Sequence, residues 1–276
     1  MGEAQMQFLN GKDFTIHKFK SLCEAIVDNY PTITMAEYVE GRHPERFVIM
    51  RHDVDRMPGH ALETARIEEA LGIRATYYFR AVNHVFKPDI IRQIRDLGHE
   101  IGYHYETLSE ANGDYNKAIG LFQSDLHKFR AICEVQTICM HGRPLSKYDN
   151  RDLWNAYDFR DFGIVGEAYL SAGKELNYFS DTGRSWSNRN NLRDFIPDKI
   201  EAFTADSTSD LSELIDCGKL NNFYILTHPE RWSLNTVDWG FYCGLDMVIN
   251  AGKRCIAALR RGQDEHHIVE RELKLR

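Results

Sequence analysis

The sequence has no surplus of positive charge. Its 34 lysines and arginines face 41 aspartates and glutamates, a formal net charge of −7. That argues against a nucleic-acid partner, which calls for a broad basic surface, although a local basic groove for an anionic sugar stays compatible with it. No apolar run is long enough to span a bilayer, and residues 1–10 lack the basic start and apolar stretch of a secretory leader. The expected location is the cytoplasm. The six cysteines show no CxxC spacing, and most sit in apolar surroundings such as Ile138-Cys139-Met140. Buried free thiols in a reducing compartment follow. There is no internal repeat, low-complexity tract or Pro/Gly/Ser-rich linker. With 43% hydrophobic residues over 276 positions, the chain can bury a real core. It reads as a single domain, 1–276, with a short helical N-terminal extension over about residues 1–45. Nothing in the sequence sets the oligomeric state.

What is present is a regular alternation. Short apolar runs at Phe47–Met50, Ala75–Phe79, Glu100–His104, Thr137–Met140, Gly163–Gly166, Leu176–Phe179 and Phe223–Thr227 read as strands. Between and around them, helices are expected at Ile16–Asn29, Pro58–Leu71, Pro88–Leu97, Asp114–Ile132, Asp149–Tyr157, Ser209–Cys217 and Trp239–Arg261. Pro58 and Pro88 suit first-turn positions, while Gly72 and Gly98 suit helix ends. Repeated β-then-α implies a parallel sheet, and seven strands fit either an incomplete barrel or an open doubly wound sheet. The charged stretch from Arg260, with the adjacent His266 and His267, reads as a solvated helix or tail.

Polar residues collect directly after the expected strands: Arg51-His52-Asp53-Val54-Asp55, His104-Tyr105-Glu106, His141-Gly142-Arg143-Pro144, Asp181-Thr182-Gly183-Arg184 and His228-Pro229-Glu230-Arg231-Trp232. In parallel α/β folds those strand ends share one rim, where sites are built. Asp53 and Asp55, two apart in an extended segment, face one side while His52 faces the other. Two acids held together resist joint ionisation unless a cation neutralises them. A metal would use one as ligand and leave the other as base. Taken alone, the two acids are better read as caps of the next helix or as partners of Arg51 or Arg56. Together with the histidine clusters they point to zinc or another divalent transition ion, with an open position for water.

These segments resemble the polysaccharide deacetylases (NodB homology, carbohydrate esterase family four). His52-Asp53-Val54-Asp55 is similar to the first family motif, Gly98–Gly102 with His104 to the second, Arg143-Pro144 to the third, Asp181 with Trp186 to the fourth and His228 to the fifth. The resemblance runs from about Val48 to Trp232. It implies a distorted seven-stranded (β/α) barrel and hydrolysis of an N-acyl group on an amino sugar. It makes Asp53 the base, Asp55 and His104 metal ligands, Arg143 the residue that orients the base, and His228 the general acid, with Asp181 behind the acid. The family places a second histidine four residues after the first, and here that position is Leu108. His141 or Glu106 would take its place, with His141 preferred. Glu106, Arg184, Trp186, Arg231 and Trp232 are expected to meet substrate, and Tyr103, Tyr105 and Tyr148 to add to an aromatic floor, with core packing the favoured reading of any one aromatic taken singly. Gly-His-Glu-Ile-Gly-Tyr-His-Tyr-Glu-Thr, Met-His-Gly-Arg-Pro-Leu-Ser-Lys-Tyr-Asp-Asn and His-Pro-Glu-Arg-Trp resemble a divergent, WbmS-like branch linked to surface-polysaccharide (O-antigen) biosynthesis. The alternative to an enzyme is a sugar-binding barrel that lost its metal triad at Leu108.

Overall fold

A computed structural model describes residues 12–143, 146–186, 194, 196, 203–248 and 252. The first helix, α1 (Ile16–Asn29), starts where the Thr15 side chain accepts the Lys18 amide N–H. It buries Phe19, Leu22, Cys23 and Ile26 on one face and packs against α7 (Thr208–Asp216). Strand β1 (Thr32–Ile33) and helix α2 (Met35–Val39), whose capping box is made by Thr34 and Glu37, follow. The barrel units are β2 (Val48–Val54), α3 (Pro58–Ala70), β3 (Thr76–Phe79), α4 (Pro88–Asp96), β4 (Glu100–Tyr105), α5 (Thr107–Glu110), α6 (Tyr115–Arg130) and β5 (Thr137–Met140). Then come β6 (Gly166–Glu167), β7 (Asn177–Ser180), α7 and β8 (Phe223–Thr227).

The strands pair in parallel in the order β6-β5-β4-β3-β2-β8-β7, and β1 pairs with the start of β2 beside β3. The two edges, β6 and β7, share no pairing among the described residues. The seven-strand sheet curls into a half-barrel with helices outside, the distorted (β/α) barrel expected. Every residue of β2 is buried, because its two faces meet different layers. His52 points outward, to Glu68 of α3 at 2.7 Å and Thr227 at 2.6 Å, while Arg51 and Asp53 point into the barrel.

Several boundaries depart from the sequence reading. Strand β2 continues through Arg51-His52-Asp53 instead of ending at Met50, because buried partners satisfy those polar side chains. The run Gly163–Gly166 contributes only its last residue to a strand. Gly163 itself has φ +68° and closes a 3₁₀ turn over Phe159–Phe162. Asp149–Tyr157 is a 3₁₀ segment, Asn150–Asn155, with Asp149 as its cap. The last helix starts at 236, three residues early, because Asn235 accepts the Asp238 amide. Its expected continuation beyond 248, with Cys255, His266 and His267, lies outside the described residues, as does Pro144. The glycine and proline signals hold: Gly72 and Gly98 have φ +75° and +92°, and Pro58 and Pro88 open their helices. Cys23, Cys133 and Cys139 are buried free thiols, whereas Cys217 is exposed.

Candidate functional site

Five strand ends converge on one rim. Strand β2 presents Asp53 and, one residue past its end, Asp55; β4 presents His104 and leads to Glu106; His141 follows β5, Asp181 follows β7 and His228 follows β8.

One group is built on Asp55. Its Oδ1 lies 3.4 Å from His104 Nε2 and 3.5 Å from His141 Nε2. That oxygen is buried and makes no hydrogen bond. The other ring nitrogens are engaged: His104 Nδ1 lies 3.1 Å from the Cys139 carbonyl and His141 Nδ1 lies 3.1 Å from Glu106 Oε2. An imidazole that donates through Nδ1 leaves its Nε2 lone pair free. Ligands bonded at about 2.0–2.1 Å around a tetrahedral ion sit roughly 3.3 Å from one another, so the observed spacings suit a divalent cation with little movement. Burial acts to raise the Asp55 carboxyl, but the flanking imidazoles of His141 and His104 outweigh it and hold it well below the usual carboxylate range.

Glu106 stands behind His141 and outside that three-residue group. Arg80 donates to Glu106 Oε1 from Nε at 2.9 Å and Nη2 at 2.5 Å. Burial pushes its carboxyl up, yet His141 and Arg80 bring it down to about 2. Leu108, at the position of the absent family histidine, lies in α5 and is 1% exposed in the core.

Asp53 takes the pairing alternative that the sequence left open. Arg51 Nε donates to its Oδ1 at 2.8 Å and Nη2 to its Oδ2 at 2.6 Å, with both residues buried. The guanidinium also lies 4.2 Å over the Tyr169 ring and 2.7 Å from the Cys139 thiol. Asp53 Oδ2 is 3.6 Å from His104 Nε2. Asp53, His104 and Cys139 therefore form a second cluster with metal-ligand spacing. Burial, the largest influence, pushes the Cys139 thiol well above its ordinary value despite Arg51. Arg51 Nη2 already lies 2.7 Å from this thiol and 2.6 Å from Asp53 Oδ2, so a cation occupies that side and the Asp55 group is the better site.

The His228 imidazole is tied to Asp181, Nδ1 to Oδ1 at 2.6 Å. The same carboxylate accepts the His228 amide at 2.9 Å, Arg231 Nη1 at 2.9 Å and Trp232 Nε1 at 3.1 Å. Burial and Arg231 lower the His228 pKa, but Asp181 more than offsets them and the imidazole ends above its ordinary value. Asp181 is held low: burial opposes ionisation, and His228 and Arg231 overcome it.

Other expected residues stand elsewhere. Arg143 was expected to orient Asp53; its Nε instead lies 3.5 Å from Glu106 Oε2, and Arg51 holds Asp53. Trp186 is 1% exposed, donates to Thr208 and packs on Phe14 and Trp232, so it is core instead of a sugar platform. Trp232 is likewise fully buried, packed on Phe19, with its indole N–H serving Asp181. Arg184, at φ +53°, joins Asp246 and Ser233, a clasp between loop and last helix. Arg231 is buried and spends its Nη1 on Asp181. Tyr103 and Tyr105 are buried core residues bonded to Asp125 and Trp154; Tyr148 is half-buried. Neither Arg80 nor Cys139 was expected at the site: Cys139 lies inside an apolar run and reads as a buried thiol, while Arg80, directly after β3, carries the same strand-end signal as the other rim residues. Glu230 is buried with one oxygen free of partners. Burial, then Asp55, pushes its carboxyl up.

Against known proteins, no family model matches the chain and no curated protein matches it. Solved structures do. One is described as a CE4 family pseudoenzyme from Bacillus anthracis, 13% identical, with a TM-score of 0.43 over 76% of this chain. The chain spans 63% of that protein's length. Another, from Mycobacterium smegmatis and named for the polysaccharide deacetylases, is 14% identical with a TM-score of 0.40, covering 66% of this chain and 76% of its own. The likeness is one of fold. No described helix is long and apolar enough to cross a membrane.

Proposed function

We propose that the protein is a metal-dependent amide hydrolase that removes an N-acyl group from an amino sugar. The observation that carries this reading is the buried, partnerless Asp55 Oδ1 between two imidazole Nε2 atoms. Asp55, His104 and His141 would hold the ion, and one carboxylate with two imidazoles suits zinc. Such an ion, when bound, lowers the pKa of water and polarises the acyl carbonyl. Asp53 takes a proton from the attacking water, whose oxygen bonds to the acyl carbon. The C–N bond then breaks, and His228 delivers a proton to the departing nitrogen. Asp181 keeps the His228 ring oriented and charged, Arg51 holds the Asp53 carboxylate in place through two hydrogen bonds, and Glu106 fixes the His141 tautomer.

The motif resemblance supports a sugar precursor of surface polysaccharide, O-antigen included, as the substrate. The test is acetate release from a panel of N-acetylated amino sugars by zinc-loaded protein, with Asp53→Asn and His228→Ala as controls. No release by wild type, or undiminished release by His228→Ala, sinks the hydrolase. One observation favours the second reading, a sugar-binding barrel without turnover: Arg51 occupies both oxygens of Asp53. Sugar binding with no acetate release would establish it.

A further inference from the structure

Glu230 sits in the 3₁₀ turn Pro229–Arg231 that leaves β8, two residues after His228. It is 1% exposed. Its Oε1 accepts from Arg56 Nε at 3.3 Å, while Oε2, equally buried, has no partner. Burial pushes its carboxyl up, and the Asp55 charge adds to that push. A buried carboxylate oxygen left unpaired is costly, and this one lies on the turn that follows the candidate proton donor, within the field of Asp55 in the candidate cation group. Arg56 is over a third exposed and engages only the other oxygen. The vacancy in this carboxylate's hydrogen bonding calls for a donor, and a positively charged one gains most beside two acids.

We propose that Glu230 binds the nitrogen of the amino sugar: it accepts a hydrogen bond from the amide N–H and pairs with the ammonium group once the acyl group has left. This rests on the hydrolase reading for its substrate class. It assigns His228 and Glu230, on one turn, to the same nitrogen, the first supplying its proton and the second holding the resulting charge. Specificity for an amine over a hydroxyl at that carbon follows.

The experiment is calorimetry on the zinc-loaded protein with glucosamine, galactosamine and mannosamine, each against its parent hexose. Wild type is expected to bind at least one amino sugar about tenfold to a hundredfold more tightly than the hexose, the worth of a charge-assisted hydrogen bond. Glu230→Gln, of equal size, should erase that preference while its zinc content and the hexose affinity stay unchanged. Should Glu230→Gln misfold, Glu230→Asp, with its carboxylate drawn back by one methylene, should weaken the preference. No preference in wild type, or one kept in Glu230→Gln, overturns the proposal. Acetate release is read separately: amine preference without release fails the hydrolase alone, and release without amine preference fails this inference alone.

Discussion

Replacing Asp181 with asparagine tests the most heavily connected acid on the rim. The carboxylate is fully buried and accepts from four donors: the His228 ring and amide, Arg231 and the Trp232 indole. Asparagine keeps the volume, removes the charge and turns an NH₂ group toward donors. Arg231 is then a buried cation without its counter-charge, a loss of about 3–5 kcal/mol when one partner of a buried pair is removed. For a domain of this size that is roughly 6–20 °C in melting temperature, at about 2–4 °C per kcal/mol. The pH dependence has a definite sign. The His228 pKa is raised in the fold, so its contribution is full below the unfolded value of about 6.5 and is lost as pH rises through the folded value. The Asp181 pKa is depressed, so its contribution is present above about 3.9 and is lost as pH falls through the folded value. The gap between wild type and Asp181→Asn should be widest between about pH 4 and 6.5 and narrow on both sides. Urea unfolding at a series of pH values reads it, alongside the pH profile of acetate release, whose alkaline limb should move to lower pH in the variant. A gap under about 1 kcal/mol, or one that does not change with pH, refutes the network as drawn.

Three further outcomes are expected. Asp55→Asn, His104→Ala and His141→Ala should each lose most of the bound zinc seen in wild type by elemental analysis, and a metal content equal to wild type in all three rejects the site. Glu106→Gln should keep the metal but weaken its affinity by roughly 10–100-fold, the usual effect of a partner behind a histidine ligand; an unchanged affinity in a chelator competition separates Glu106 from the site. Gly102→Ala should fail to fold or melt far below wild type, because its Cβ would lie 2.2 Å from Tyr78 Cε1 inside β4; melting within about 2 °C of wild type, less than the roughly 1–3 kcal/mol of ordinary overpacking, contradicts the packing.

Much of this architecture is local and therefore visible in the chain. Pro58, Pro88, Gly72 and Gly98 mark helix ends through backbone restrictions that act within a few residues, and the β-then-α rhythm sets a parallel sheet. Because that sheet is parallel, residues at or just past the ends of β2, β4, β5, β7 and β8 meet at one rim, so the grouping of Asp55, His104, His141, Asp181 and His228 was legible from strand order alone. The tertiary structure decided what each of them touches. Arg51 holds Asp53 instead of Arg143 because β2 runs four residues past Met50 and keeps both side chains on the inner face. Trp186 and Trp232 look alike in sequence to aromatic sugar platforms, and only the packing of α1 against that corner buries them on Phe14 and Phe19. Local sequence determines dihedral preferences and the period of burial; whether a polar or aromatic side chain faces a partner or a ligand depends on elements far away in the chain.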